Sequence, residues 1–197
     1  MNAGRMEAFS DGVLAIVITI MVLELRIPTG SSEAALRSVW PGLLCYVLSF
    51  VNVGIYWNNH HYLLKTVERV TGSVLWANLG LLFWLSLLPI ATAWMSRNRF
   101  ASLPVAVYGC VLLAAGVSYY VLGRTIIAAS PGDSRLSAAV GRDAKGVASM
   151  VIYAVAIAVC VVSRWAAFAM YVAVAVMWLV PDRRLAPMIE EHPAQAE

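Results

Sequence analysis

The sequence predicts an all-α membrane protein with six transmembrane helices. Hydrophobic residues make up 61% of the 197-residue chain and charged residues only 13%. The mean hydropathy is +0.76, well above that of soluble proteins. The apolar residues fall into runs of about 20, the length that crosses an acyl core, and short polar loops separate the runs. Since no separate soluble domain is visible, we expect residues 1–197 to form a single transmembrane domain.

The first three predicted helices are delimited by prolines and polar clusters. Helix 1 covers about residues 5–27 and stops at a Pro-Thr-Gly sequence that breaks helices. Helix 2 covers about 39–64, and Pro41 lies in its first turn, where proline is tolerated. Helix 3 covers about 74–95 and is broken softly at Pro89.

The second half of the chain predicts three more helices. Helix 4 covers about 103–122, and its glycines allow close helix approach. A connector with a turn at 131–133 follows. Residues 146–180 are almost continuously apolar, yet one helix of this length would reach about 52 Å, too far for a core of about 30 Å. We therefore expect two spans, 146–162 and 165–180, hinged at the Ser-Arg pair between them.

The distribution of basic residues predicts that both termini are cytoplasmic, because lysine and arginine favour the cytoplasmic loops. With this orientation, nine basic residues lie inside and five lie outside. The inner set is Arg5, Lys65, Arg69, Arg124, Arg135, Arg142, Lys145, Arg183 and Arg184. The outer set is Arg26, Arg37, Arg97, Arg99 and Arg164. We expect a multi-pass protein of the cell membrane.

Several classes of partner are disfavoured by composition. The net charge of +3 is modest and spread over short loops, which argues against nucleic-acid binding. The three cysteines lie in apolar runs and resemble buried hydrophobic residues. His60 and His61 point about 100° apart on a helix and cannot easily share a metal ion, and His192 is far away in the tail. We therefore expect neither a metal site nor another cofactor.

Helix 1 has two faces with different chemistry. Ile16, Ile20 and Leu23 lie within about 60° of one another on a helical projection, with Thr19 at the edge of this stripe. Asp11 points to the other side. The aliphatic stripe is either an ordinary packing face or a narrow hydrophobic constriction that gates ions by dewetting. Periodicity alone leaves both interpretations open.

The polar start of helix 1 also has two interpretations. Ser10 and Asp11 are typical of a helix start at the membrane interface. Alternatively, they tie helix 1 to its neighbours, since polar groups at membrane depth need partners. The predicted partners are the polar end of helix 2, which contains His60 and His61, and Asn78 of helix 3. With the predicted topology, these residues lie on the same side of the membrane.

The motif Arg5-x-x-x-Phe9-Ser10-Asp11, followed by the apolar run up to Thr19, resembles the transmembrane protein 175 family of potassium channels. Bacterial members of this family are six-helix chains of about this size. The resemblance implies a homotetramer in which the first helix of each chain lines a central pore. It also implies that the carbonyl filter of ordinary potassium channels is absent, and this chain has no Thr-Val-Gly-Tyr-Gly sequence.

The resemblance assigns roles to individual residues. It implies a hydrophobic gate at Ile16, Ile20 and Leu23 and a contribution of Thr19 to ion selectivity. It also implies a polar network that holds the helices together. The network residues are Arg5, Phe9, Ser10, Asp11, Trp57, Asn78 and a histidine of helix 2, either His60 or His61.

The expected function is passive conduction of cations with a preference for potassium, through a homotetrameric pore in the lipid bilayer. The expected partners are potassium ions and further copies of the chain. The alternative is a proton-coupled secondary transporter that uses Asp11 and a helix 2 histidine as a relay. Such transporters favour inverted repeats, and no repeat is visible here. Enzyme activity is not expected, because the sequence shows no nucleophile, base and oxyanion-hole spacing.

Overall fold

The computed structural model describes residues 3–67, 69–130 and 143–179, and the regular structure in these ranges is helical. We number the seven described helices in chain order. They are α1 (Ala3–Leu23), α2 (Glu33–Lys65), α3 (Gly72–Ser86), α4 (Leu88–Arg97), α5 (Ser102–Ala129), α6 (Ala144–Val159) and α7 (Arg164–Leu179). The predicted turn at 131–133, the tail from 181 onwards and His192 lie outside the described residues, as do Arg135, Arg142, Arg183 and Arg184.

Four helical segments are long and apolar enough to cross a membrane. They are Ala3–Leu23, Glu33–Lys65, Gly72–Arg97 (which joins α3 and α4) and Ser102–Ala129. The helices α6 and α7 are apolar but shorter, with 16 residues each. The described part of the chain is therefore all-helical, with four candidate membrane spans.

Helix α2 begins at Glu33, earlier than the start predicted near residue 39. The side chain of Ser32 accepts a hydrogen bond from the backbone N–H of Ala35 at 3.3 Å and thus caps the helix. Glu33 complements the helix dipole in the first turn. Consequently Pro41 lies inside the helix rather than at its start. The polar Ser-Ser-Glu sequence lies before the predicted start of helix 2, where a loop was expected. It caps the helix instead.

The third predicted helix is two helices, and the break precedes Pro89. Helix α3 ends at Ser86, α4 starts at Leu88, and Pro89 occupies the first turn of α4. Proline has no N–H to donate and its ring collides with the carbonyl four residues earlier, so the preceding turn opens. Helix α5, predicted to stop near 122, runs on to Ala129 through a glycine that does not end it.

The helices pack around α5, which contacts α3, α4, α6 and α7, while α1 packs on α2, α3 and α4. Gly109 of α5 permits the close approach of α7. A Cβ at this position would lie 2.7 Å from Cζ of Tyr171, which is closer than real contacts allow. Tyr171 is buried, and its hydroxyl donates to the carbonyl of Val105 at 3.3 Å. This packing leaves one whole face of α1 uncovered.

Candidate functional site

Helix α1 buries one face in its own bundle and exposes the opposite face. The buried residues repeat every three or four positions, which places them on one side of the helix. They are Met6, Ser10, Leu14, Val17 and Met21. Outside this buried side, at about 80–140° from its centre, Ile16 is 59%, Ile20 44% and Leu23 82% exposed. The three residues predicted to form a gate therefore share the face that the chain itself leaves uncovered.

Thr19 lies on the exposed side of α1, next to this stripe. Its hydroxyl donates a hydrogen bond to the carbonyl of Ile16 at 2.9 Å. Since the hydrogen is engaged with the helix backbone, the lone pairs of the oxygen remain available. Thr19 can therefore offer an acceptor oxygen to a cation near the aliphatic stripe.

A buried chain of hydrogen bonds joins α1, α3 and α2. The Ser10 hydroxyl donates to the carbonyl of Met6 at 2.8 Å. The amide nitrogen of Asn78 donates to Ser10 Oγ at 3.0 Å. The amide oxygen of Asn78 lies 2.7 Å from Nε2 of His60. Ser10, Asn78 and His60 are all buried, so these contacts are shielded from solvent.

The direction of this chain fixes the tautomer of His60. The Ser10 hydroxyl hydrogen is used on Met6, so Ser10 must accept from the Asn78 amide nitrogen. The amide oxygen of Asn78 then faces His60, and Nε2 of His60 must carry the hydrogen. The other ring nitrogen, Nδ1, is buried without a hydrogen-bond partner among the described residues.

A second, half-exposed cluster joins α1 to α2 near the same end. The indole N–H of Trp57 donates to Oδ1 of Asp11 at 3.0 Å. Nδ1 of His61 lies 2.7 Å from Oε1 of Glu7. The rings of Trp57 and His61 stack with centroids 6.2 Å apart. Glu7 and Asp11 are four residues apart in α1, and Trp57 and His61 are four residues apart in α2, so each pair lies on one face of its helix. Two successive turns of α1 therefore contact two successive turns of α2.

The structure places the predicted polar residues in two clusters rather than one network. Both histidines contact α1 or its partners, but His60 faces Asn78 and His61 faces Glu7. Arg5 and Phe9 lie on exposed positions of α1. The sequence reasoning missed Glu7, although its spacing of four from Asp11 places the two carboxylates on the same face of α1.

The other end of α1 is joined to α4 by an ion pair between Glu24 and Arg97. Sequence reasoning did not pair these residues, because they are far apart in the chain and no spacing links them. Among the described residues, no three His, Cys, Asp or Glu side chains come together as metal ligands would. The site is therefore one helix with an exposed aliphatic stripe, anchored at both ends by polar contacts.

Residues 5–89 match the family model described as "Endosomal/lysosomal potassium channel TMEM175". This range contains α1 from its third residue onwards, α2, α3 and the first two residues of α4. Both polar clusters and the exposed stripe therefore fall inside the matched segment.

The chain is similar over its length to a potassium channel from Chryseobacterium sp. (strain P1-3). The two are 49% identical over 192 residues, which cover 98% of this chain and 100% of the relative. A mouse protein, named endosomal/lysosomal proton channel TMEM175, is 36% identical over 112 residues, which cover 51% of this chain but 22% of the mouse protein.

The fold is similar to a solved structure, the crystal structure of a lysosomal potassium-selective channel TMEM175 homolog from Chamaesiphon minutus. The TM-score is 0.80 and the sequence identity 27%, and the match covers 90% of this chain and 96% of the other. The similarity thus extends over the whole helical arrangement and well beyond α1.

Proposed function

The chain belongs to the TMEM175 family of channels, and from this premise we propose that it conducts cations with a preference for potassium. Its role is that of a channel and not of an enzyme. In the proposal, four identical chains surround a central pore lined by α1, and Ile16, Ile20 and Leu23 form a hydrophobic constriction. Thr19 contributes an oxygen to ion selection.

The uncovered aliphatic face of α1 is the observation that supports this proposal most directly. Ile16, Ile20 and Leu23 remain exposed beside the described helices of their own chain. One helix can enclose a pore only when it is repeated around an axis, and closed rotational symmetry is the usual arrangement. Rings of isoleucine and leucine side chains around a narrow axis would exclude water and so hinder ions.

The buried hydrogen-bond chain supports the orientation of this face. Ser10 is held by Asn78 on the bundle side of α1, and rotating α1 about its axis would break this bond. Ile16 lies about 120° around the helix from Ser10 and is 59% exposed, so it is directed away from the bundle. The polar anchors therefore support a pore helix of fixed rotation.

The proposal includes six membrane crossings in a single domain, with both termini cytoplasmic, in the cell membrane. The joined α3–α4 segment counts as one crossing. The helices α6 and α7 have 16 residues each, about 24 Å at 1.5 Å per residue, and would complete the six. The nine inner and five outer basic residues favour this orientation.

Proton conduction is the second candidate, because the mouse relative is named a proton channel. A transporter relay between Asp11 and a helix 2 histidine has less support. Asp11 accepts from Trp57, while the two histidines contact Asn78 and Glu7 instead. Flux into liposomes under separate potassium, sodium and proton gradients distinguishes the candidates.

The gate is tested by Ile16→Asn in reconstituted bilayers. We expect a larger leak current than in the wild type, because a polar side chain wets the constriction. Val22→Asn is the matched control, since Val22 is similarly exposed on α1 but lies about 120° away from Ile16. If Ile16→Asn conducts like the wild type while the oligomer is intact, the gate assignment is wrong.

A further inference from the structure

A polar pocket lies at the C-terminal end of α1. It has a volume of about 370 Å³ and is formed by the end of α1 with its following loop, the first turns of α2 and the end of α4. Arg26, Arg97 and Arg99 line it, together with Glu24. Three guanidinium groups and one carboxylate give the pocket an excess of positive charge.

Two of the three guanidinium groups are not neutralised by the part of the chain that the structure describes. Arg97 pairs with Glu24, whereas neither Arg26 nor Arg99 makes an ion pair with a described residue. Like charges gathered around one cavity repel each other, and a bound anion would relieve this repulsion. The planar guanidinium fork matches the oxygens of phosphate and carboxylate.

Three hydroxyl groups line the same pocket, and two of them provide further donors. The third, that of Ser38, already donates to the carbonyl of Ala35 at 2.6 Å. Thr29 and Ser96 also line the pocket, and their hydroxyls donate to none of the described residues. Gly42 leaves space beside Ser96, because a Cβ at position 42 would lie only 3.3 Å from Oγ of Ser96.

The backbone around Arg99 is held in an unusual conformation. Arg99 and Phe100 have φ angles of 48° and 59°, the left-handed region that non-glycine residues adopt only under constraint. Phe100 is only 4% exposed, and its ring packs on Trp165 and Phe168 with centroids 5.1 and 4.9 Å away. This aromatic packing holds the turn, so the core fixes the backbone of Arg99 at the edge of the pocket.

We propose that this pocket binds a phosphate group, supplied either by an anionic phospholipid or by free inorganic phosphate. A carboxylate has only two oxygens, fewer than the guanidinium groups of Arg26 and Arg99 and the hydroxyls of Thr29 and Ser96 can together engage. A phosphate offers three or four oxygens in a tetrahedral arrangement that suits donors from several sides. The pocket lies at the end of α1, where a membrane-spanning helix meets lipid head groups.

Binding to the purified full-length protein in detergent tests the proposal and does not depend on conduction. The variants are Arg26→Gln and the double variant Arg26→Gln/Arg99→Gln. Arg37→Gln is the matched control, because Arg37 is exposed and pairs with Glu33 instead of lining the pocket. Calorimetry measures inorganic phosphate, and native mass spectrometry measures phosphatidylglycerol and diacylglycerol, which lacks the phosphate.

We expect at least one phosphate-bearing probe to bind the wild type and Arg37→Gln, with affinity about 10-fold or more weaker in the double variant, as loss of two charge-assisted contacts implies. Binding of phosphatidylglycerol alone identifies a lipid head group, and binding of inorganic phosphate identifies a free anion. If the double variant does not fold, the single variant Arg26→Gln is compared with the wild type instead, because Arg26 lies in a loop. The proposal would be overturned if neither phosphate-bearing probe bound the wild type, or if Arg37→Gln weakened binding as much as the double variant. It would also be overturned if diacylglycerol bound as tightly as phosphatidylglycerol.

Discussion

Replacing Asn78 with alanine removes the residue that joins three helices at the polar end of α1. The wild-type amide donates to Ser10 at 3.0 Å and accepts from His60 at 2.7 Å. After the change, Ser10 keeps its bond to Met6, but both ring nitrogens of His60 are buried without a partner among the described residues. Hydrogen bonds between membrane helices average about 0.6 kcal/mol and reach about 1.7. Two such bonds predict a loss of about 1–3 kcal/mol.

Thermal unfolding of the purified protein in detergent measures this loss. For chains of this size, 1 kcal/mol corresponds to roughly 2–4 °C, so we expect Asn78→Ala to lower the midpoint by about 2–12 °C. Asn59→Ala is the matched control, since its amide donates only to the carbonyl of Ile55 in its own helix, at 2.8 Å. Its midpoint should change by about 1 °C, as for a bond worth a few tenths of a kcal/mol.

Equal shifts in Asn78→Ala and Asn59→Ala would refute the reasoning, because the interhelical bonds would then contribute nothing measurable. A double-mutant cycle provides a second check. Asn78→Ala combined with His60→Phe should destabilise by less than the sum of the single changes, since each removes the same contact. Full additivity would show that the two side chains are not coupled.

Three further changes test other parts of the site and fold. Thr19→Val, which removes the oxygen but keeps the shape, should reduce the preference for potassium over sodium; an unchanged reversal potential under a biionic gradient would exclude Thr19 from selectivity. Trp57→Phe keeps an aromatic ring, although a smaller one, but removes the donor to Asp11, and should lower the unfolding free energy by about 1 kcal/mol; an unchanged denaturation midpoint would contradict this role. Gly109→Ala should destabilise by about 1–3 kcal/mol, because its Cβ meets the buried tyrosine of α7. The control for Gly109→Ala is Gly80→Ala, whose Cβ meets nothing within 4 Å and which should be neutral or slightly stabilising in the same thermal assay.

The sequence was informative about α1 because helical periodicity depends on one helix alone. A spacing of three or four residues places Ile16, Ile20 and Leu23 together whatever the neighbouring helices do. The same argument separates His60 from His61, since adjacent residues point about 100° apart. It does not say which partner each ring meets. That depends on the height at which α2 packs against α1 and α3, a property of the assembled bundle.

The helix boundaries that differed from the prediction have local causes. The start of α2 was predicted late because proline was taken as the sign of a first turn, whereas Ser32 supplies the cap. The break before α4 lies upstream of Pro89 because the steric effect of proline acts on the preceding turn. Glu7 was missed because, without its partner, a carboxylate near a helix start has the ordinary explanation of a favourable dipole contact.

Polar contacts of α1 with its neighbours lie near its two ends, and apolar contacts lie between them. The side-chain hydrogen bonds and ion pairs that join α1 to other helices include those of Glu7, Ser10 and Asp11 at one end and of Glu24 at the other. Between Asp11 and Glu24, its buried face contains only apolar side chains. Directional bonds define height and rotation, whereas apolar contacts are non-directional. The ends of α1 therefore specify its position, and in the proposed homotetramer its exposed middle would adjust its side chains to the other copies at little cost. A gate formed by that middle segment would be held in register by residues that do not themselves line it.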